Sequence, residues 1–142
     1  VSYDPSNLKP PGNSVGERVR WARQKKNLTQ VELAKRVSCV ATTIIIIEKT
    51  GRYNISTLKK ISIVVDQPIE FLGCFENMPE TTFGDRLKKA RYYHGYDKKE
   101  AAEIVGFNQR TLYDWERGKR EPSVKALDKL VSFINILNQN SQ

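Results

Sequence analysis

Histidine, cysteine and methionine are scarce in this 142-residue chain, which holds one histidine, two cysteines and one methionine. His94, Cys39 and Cys74 cannot complete a four-ligand zinc site by themselves, so a closed structural zinc centre is excluded and no metal is expected. Neither cysteine has a CxxC partner, and both read as free thiols in a reducing compartment. Long apolar runs are also missing. The longest, 39–47, falls far short of the roughly 18–20 residues that a membrane span requires, and no basic-then-apolar leader opens the chain. Secretion and membrane insertion are therefore not expected, and the cytoplasm is the expected location. No Gly-rich phosphate loop, nucleophile elbow or clustered pair of carboxylates occurs. No enzyme activity is expected, and with it no catalytic residue, cofactor or small-molecule substrate.

What is present is positive charge and enough hydrocarbon for a core. Lys and Arg number 24 against 16 Asp and Glu, a formal charge of +8, which favours a polyanionic partner. The hydrophobic fraction of 39% rules out wholesale disorder. The charge is uneven, since residues 1–72 hold 12 basic against 6 acidic side chains and residues 73–142 hold 12 against 10.

Sliding the chain against itself by 68 positions aligns 15–52 with 83–120, and ten of the 38 pairs are identical. Among them are Gly16/Gly84, Arg23/Arg91, Glu32/Glu100, Ala34/Ala102, Glu48/Glu116 and Arg52/Arg120. A repeat of this kind changes the expected domain count from one to two. Residues 1–13, which carry three of the six prolines and no periodicity, read as a flexible arm. Residues 14–72 form the first domain in this reading, 73–82 a short polar linker and 83–142 the second domain.

Both copies read as short helices. Val15, Val19 and Ala22 recur at i, i+4 and i+7, and Phe83, Leu87 and Ala90 repeat that face. A second helix opens on Thr29-Gln-Val-Glu32 and on Asp97-Lys-Lys-Glu100, where a reciprocal pair of cap hydrogen bonds can form. The third helix of the second copy starts at Asn108, with Leu112 and Trp115 inward and Gln109, Arg110, Tyr113 and Asp114 outward. In the first copy the same stretch is Val40-Ala-Thr-Thr-Ile-Ile-Ile-Ile47, six consecutive β-branched residues that propensity assigns to a strand. The repeat assigns a helix, and we follow the repeat because a lone strand has no partner in a helical domain. A fourth helix carries Leu58, Ile61 and Val65, or Leu127, Leu130, Ile134 and Leu137, and 69–72 suits a short fifth.

The run Leu28-Thr-Gln-Val-Glu-Leu-Ala-Lys-Arg-Val37, followed by Thr43-Ile44 and Ile47-Glu48, resembles the helix-turn-helix of the phage repressor and Cro (Xre) family. The second copy is the closer match, through Glu100-Ala-Ala-Glu-Ile-Val-Gly-Phe107, Thr111-Leu112 and Trp115-Glu-Arg-Gly-Lys-Arg-Glu-Pro122. The resemblance implies an all-α fold of two tandem lambda-repressor-like helix-turn-helix domains, each of four to five short helices. It implies a sequence-specific transcriptional regulator that binds double-stranded DNA as a homodimer and represses by occupying promoter DNA. It also pairs an Arg on the first helix with the Glu ending the third, here Arg23/Glu48 and Arg91/Glu116, which we read as structural.

Base reading then falls to the outward start of the third helix. Gln109 can bond an adenine edge and Arg110 a guanine edge, each bidentately. Tyr113 and Asp114 lie one turn on, where Asp114 can accept from a cytosine amine or orient Arg110. Phosphate contacts are expected from Lys98, Lys99, Arg117, Lys119 and Arg120. In the first copy Thr42 supplies the one hydroxyl for bases, while Gln30, Lys49 and Arg52 can hold phosphates. Ala41 and Ile45 can touch thymine methyls; alternatively the exposed Ile45 and Ile46, with Ile134 and Leu137, form an apolar interface with another chain. The latter case makes the protein an adaptor or antitoxin-like interaction module, the alternative to a DNA-binding regulator.

Overall fold

The computed structural model describes residues 11–139, so the arm read over 1–13 lies, but for 11–13, outside the described residues, as does the end of the second domain at 140–142. Among the described residues every regular element is helical. The chain divides into two compact units, Val1–Glu76 and Asn77–Gln142.

The first unit holds α1 (Val15–Lys25), α2 (Gln30–Arg36), α3 (Ala41–Thr50), α4 (Ile55–Val64) and α5 (Ile69–Leu72), followed by a 3-10 turn over Phe75–Asn77. Local chemistry starts most of these helices. The Ser14 side chain accepts from the Glu17 amide, and Thr29 and Glu32 form a reciprocal capping box. Hydrogen bonding from the Thr29 backbone and side chain holds the Glu32 carboxyl below its ordinary range. By contrast α3 begins on Val40, which offers no side-chain cap. This β-branched segment is nevertheless a helix, because it packs against α1 and α2 and buries Ile44 and Ile47 completely on one face. Tertiary burial overrides the strand propensity of the run. Val19, Leu33, Leu58, Ile61, Leu72 and Phe75 complete the core.

The second unit holds α6 (Phe83–His94), α7 (Lys98–Val105), α8 (Gln109–Glu116), α9 (Val124–Ile134) and α10 (Ile136–Gln139). Capping boxes at Thr82/Asp85 and Asp97/Glu100 start α6 and α7, and the Asn108 side chain accepts from the Arg110 amide to start α8. Gly106 ends α7 at a φ of 79°, a left-handed conformation that opens the turn into α8. Leu87, Ala90, Ala101, Leu112, Trp115 and Leu130 form the centre of the core. The alanines Ala101 and Ala102 keep α7 narrow where it meets α8.

Two expectations are corrected. Ile134 and Leu137, assigned to a partner interface, are only 7% and 5% exposed. The expected single helix is interrupted at Asn135, and α9 and α10 both pack against α6, so that both side chains close the unit's own core. The stretch 73–82, read as a linker, is buried at its start and mostly exposed after it: Cys74 and Phe75 are buried in the first unit, whereas Glu80 pairs with Lys89 at 2.9 Å in the second. An aromatic ring at position 75 gains more by burial than a tether would by staying free. Both cysteines are free thiols, and desolvation raises the pKa of Cys74.

Candidate nucleic-acid interface

The surface in question is built around α8. Its inner face is held by two devices that recur in α3. Arg91 donates to both carboxylate oxygens of Glu116, at 2.7 and 3.1 Å, and to the Tyr96 carbonyl at 3.0 Å. Arg23 does the same with Glu48, at 2.6 and 3.0 Å, and with the Leu28 carbonyl at 2.8 Å. Both pairs are buried, so these four residues orient the third helix of each unit and are not available to a ligand. The second device is a glycine at the point of contact. A Cβ on Gly84 would overlap the carbonyl oxygens of Trp115, at 2.6 Å, and of Glu116, and one on Gly16 would overlap that of Glu48.

Inward anchoring at Leu112 and Trp115 turns the opposite side of α8 to solvent. Gln109 and Arg110 are exposed in its first turn. Tyr113 is half-buried, with the Lys98 ammonium 3.7 Å from its ring centroid and the Arg117 guanidinium at 4.5 Å. The hydrogen bond and positive charge of Arg117, followed by the charge of Lys98, hold the Tyr113 phenol below its ordinary range. This cationic bracket around an aromatic ring was not legible in sequence, because Lys98 and Tyr113 sit on different helices. Lys88 on α6 lines the same recess beside Lys98 and Arg117, a further basic residue that sequence reasoning missed. Lys99, Lys119 and Arg120 are exposed nearby on the same unit.

Asp114 departs from expectation. Assigned to base reading, it is only 4% exposed. Arg110, Arg117 and Arg120 each place a guanidinium nitrogen 3.5–4.0 Å from its carboxylate and cover it. Of the two roles read for it, this burial disfavours acceptance from a cytosine amine, and its place beside Arg110 agrees with orienting that side chain.

In the first unit Thr42, Lys49 and Arg52 are exposed along α3 and just beyond it. Gln30 is half-buried and donates to Glu48 at 3.2 Å, which leaves it tied to the buried ion pair. Ile45 and Ile46 are 43% and 45% exposed, and Ile45 lines a shallow recess with Arg20, Gln30 and Lys49. His94 stacks on Phe133 at 4.3 Å, with Nε2 2.8 Å from the Phe133 carbonyl, which places it in the packing of the second unit. Among the described residues no cluster of His, Cys, Asp and Glu could hold a metal ion, and no helix is long and apolar enough to cross a membrane.

Residues 87–136 match the helix-turn-helix family. The chain is 37% identical over 54 residues to the SPbeta prophage-derived uncharacterized HTH-type transcriptional regulator YonR of Bacillus subtilis strain 168, covering 38% of this chain and 50% of that protein. It is 40% identical over 55 residues to the HTH-type transcriptional regulator ImmR of the same organism, covering 39% of this chain and 43% of that one. The chain therefore spans half or less of the length of these curated relatives. No solved structure matches it. The helix-turn-helix match over 87–136 takes in the paired helices α7 and α8 and the left-handed turn at Gly106 between them.

Proposed function

We propose that the protein is a sequence-specific DNA-binding transcriptional regulator that represses by occupying promoter DNA, with α8 in the major groove. The observation that carries this reading is the exposure of Gln109 and Arg110 side by side in the first turn of α8. In helix-turn-helix proteins those are the positions that meet base edges, and these two side chains match adenine and guanine. Lys98, Lys99, Arg117, Lys119 and Arg120 supply the phosphate contacts that set register. We extend the proposal to the first unit as a second, degenerate helix-turn-helix domain. Lys49 and Arg52 hold phosphates there, and Thr42 is its one polar base contact.

Selection of bound fragments from random double-stranded DNA tests the proposal directly. A recurrent motif is expected, and recovery without preference would overturn sequence-specific reading. On the selected site Arg110→Ala should cost about 1–3 kcal/mol and relax one base position, whereas Arg120→Ala should weaken all sequences alike. With three or four phosphates neutralised by each unit, log K against log salt should fall with a slope of about −5 to −7. A slope near half that, unchanged by Lys49→Ala with Arg52→Ala, would remove the first unit from the DNA.

The exposure of Ile45 and Ile46 favours a second reading of the first unit, in which this face meets another protein chain. A second copy is the proposed partner, giving the two-fold symmetry that paired half-sites need. With Ile134 and Leu137 in the core, the α3 face carries this proposal alone. Sedimentation across micromolar concentrations should show a dimer that Ile46→Glu dissociates. A monomer throughout in both proteins would sink it.

A further inference from the structure

Asp114 lies on the outward side of α8, between the core positions Leu112 and Trp115, and its counterpart in the repeat, Ile46, is 45% exposed. Asp114 is nonetheless buried, and among the described residues its Oδ1 is a buried side-chain oxygen with no hydrogen-bond partner. Three guanidinium groups stand around the carboxylate: Arg110 Nε at 3.5 Å and Arg117 Nη2 at 4.0 Å from Oδ1, and Arg120 Nη1 at 3.9 Å from Oδ2. The side chains of all three arginines remain 44–72% exposed, so their cations face solvent while sharing one anion behind them. The Asp114 carbonyl also accepts from the Lys119 amide at 2.9 Å and the Arg120 amide at 3.4 Å, which ties the following loop to the same residue.

We propose that Asp114 is a specificity-determining positioning residue, resting on the reading of α8 as the groove helix. The carboxylate acts in two ways. It restricts the long Arg110 side chain to one side of the helix, so that less rotamer freedom is lost when a guanine edge is bonded. It also removes one positive charge from a face that would otherwise bind any duplex, and separations near 3.5–4.0 Å leave each arginine free to exchange it for phosphate. One anion shared by three cations suppresses indiscriminate binding while keeping the base-reading arm aimed. The first unit, with Ile46 at this position and Thr42 in place of Arg110, has no such device.

The consequence is a pair of effects of opposite sign. Binding of the full chain and of Asp114→Asn should be compared on the selected duplex and on a scrambled duplex of equal length, across salt. The variant should bind the scrambled duplex more tightly, with a salt slope steeper by about 0.9, while its preference for the selected duplex falls about tenfold. Asp114→Glu, which keeps the charge and lengthens the arm, should lose preference without gaining affinity for the scrambled duplex. In an Arg110→Ala background, Asp114→Asn should leave the remaining preference unchanged. A parallel loss on both duplexes in both variants would assign Asp114 a merely structural role and overturn the proposal, as would preference retained by Asp114→Asn. A wild-type chain with no preference between duplexes would instead overturn the reading of α8 itself.

Discussion

Replacing Glu116 with alanine is expected to destabilise the second unit by about 3–5 kcal/mol, the usual cost of removing one partner from a buried ion pair. The Arg91 guanidinium would lose both carboxylate contacts, at 2.7 and 3.1 Å, and keep the Tyr96 carbonyl and the face of the Tyr92 ring. With its side chain 5% exposed, it cannot recover that loss from water. Small domains are stable by only about 5–15 kcal/mol, so the variant should be marginal at ambient temperature. The informative comparison is the double replacement Arg91→Met with Glu116→Leu, in which no charge is left buried. Its chemical denaturation midpoint should lie well above that of Glu116→Ala. Equal midpoints for the single and double variants would show that the pair contributes by packing and not by mutual neutralisation.

Gly84→Ala is expected to cost about 1–3 kcal/mol although it adds a single methyl group. The obstacle is backbone: the new Cβ would meet the carbonyl oxygens of Trp115 and Glu116, which no rotamer change can move. Relief requires α6 to draw away from α8, which lengthens the Arg91 to Glu116 contacts at the same time. The two effects should therefore be coupled. In a double-mutant cycle the combined loss for Gly84→Ala with Glu116→Ala should be smaller than the sum of the single losses. Denaturant titration checks this, and an unchanged midpoint for Gly84→Ala would mean that α6 and α8 have room to separate without penalty.

Both predictions concern residues that the repeat singles out, and the reason is local. Gly16/Gly84, Arg23/Arg91 and Glu48/Glu116 are identical across copies because each third helix needs the same close approach and the same ion pair. The capping boxes at Thr29/Glu32 and Asp97/Glu100 were legible for a similar reason, since both partners lie within one helical turn. The helical reading of 41–50 needed the repeat, because the local signal of four successive isoleucines points to a strand.

By itself the sequence determined the helix starts, the repeated inner face, and the outward placement of Gln109 and Arg110, all of which depend on periodicity and on neighbours within one turn. Only the tertiary structure decided which apolar stripe was surface and which was core. Periodicity shows that Ile134 and Leu137 share a face but not what covers it, and in the fold α6 packs against both α9 and α10. It also decided that Asp114, outward by its helical position, is buried. Its cover comes from Arg110 one turn earlier and from Arg117 and Arg120 in the loop beyond, and their convergence depends on the path of that loop. Burial of a charged side chain depends on where other chains of atoms end in space, and helical periodicity carries no record of that.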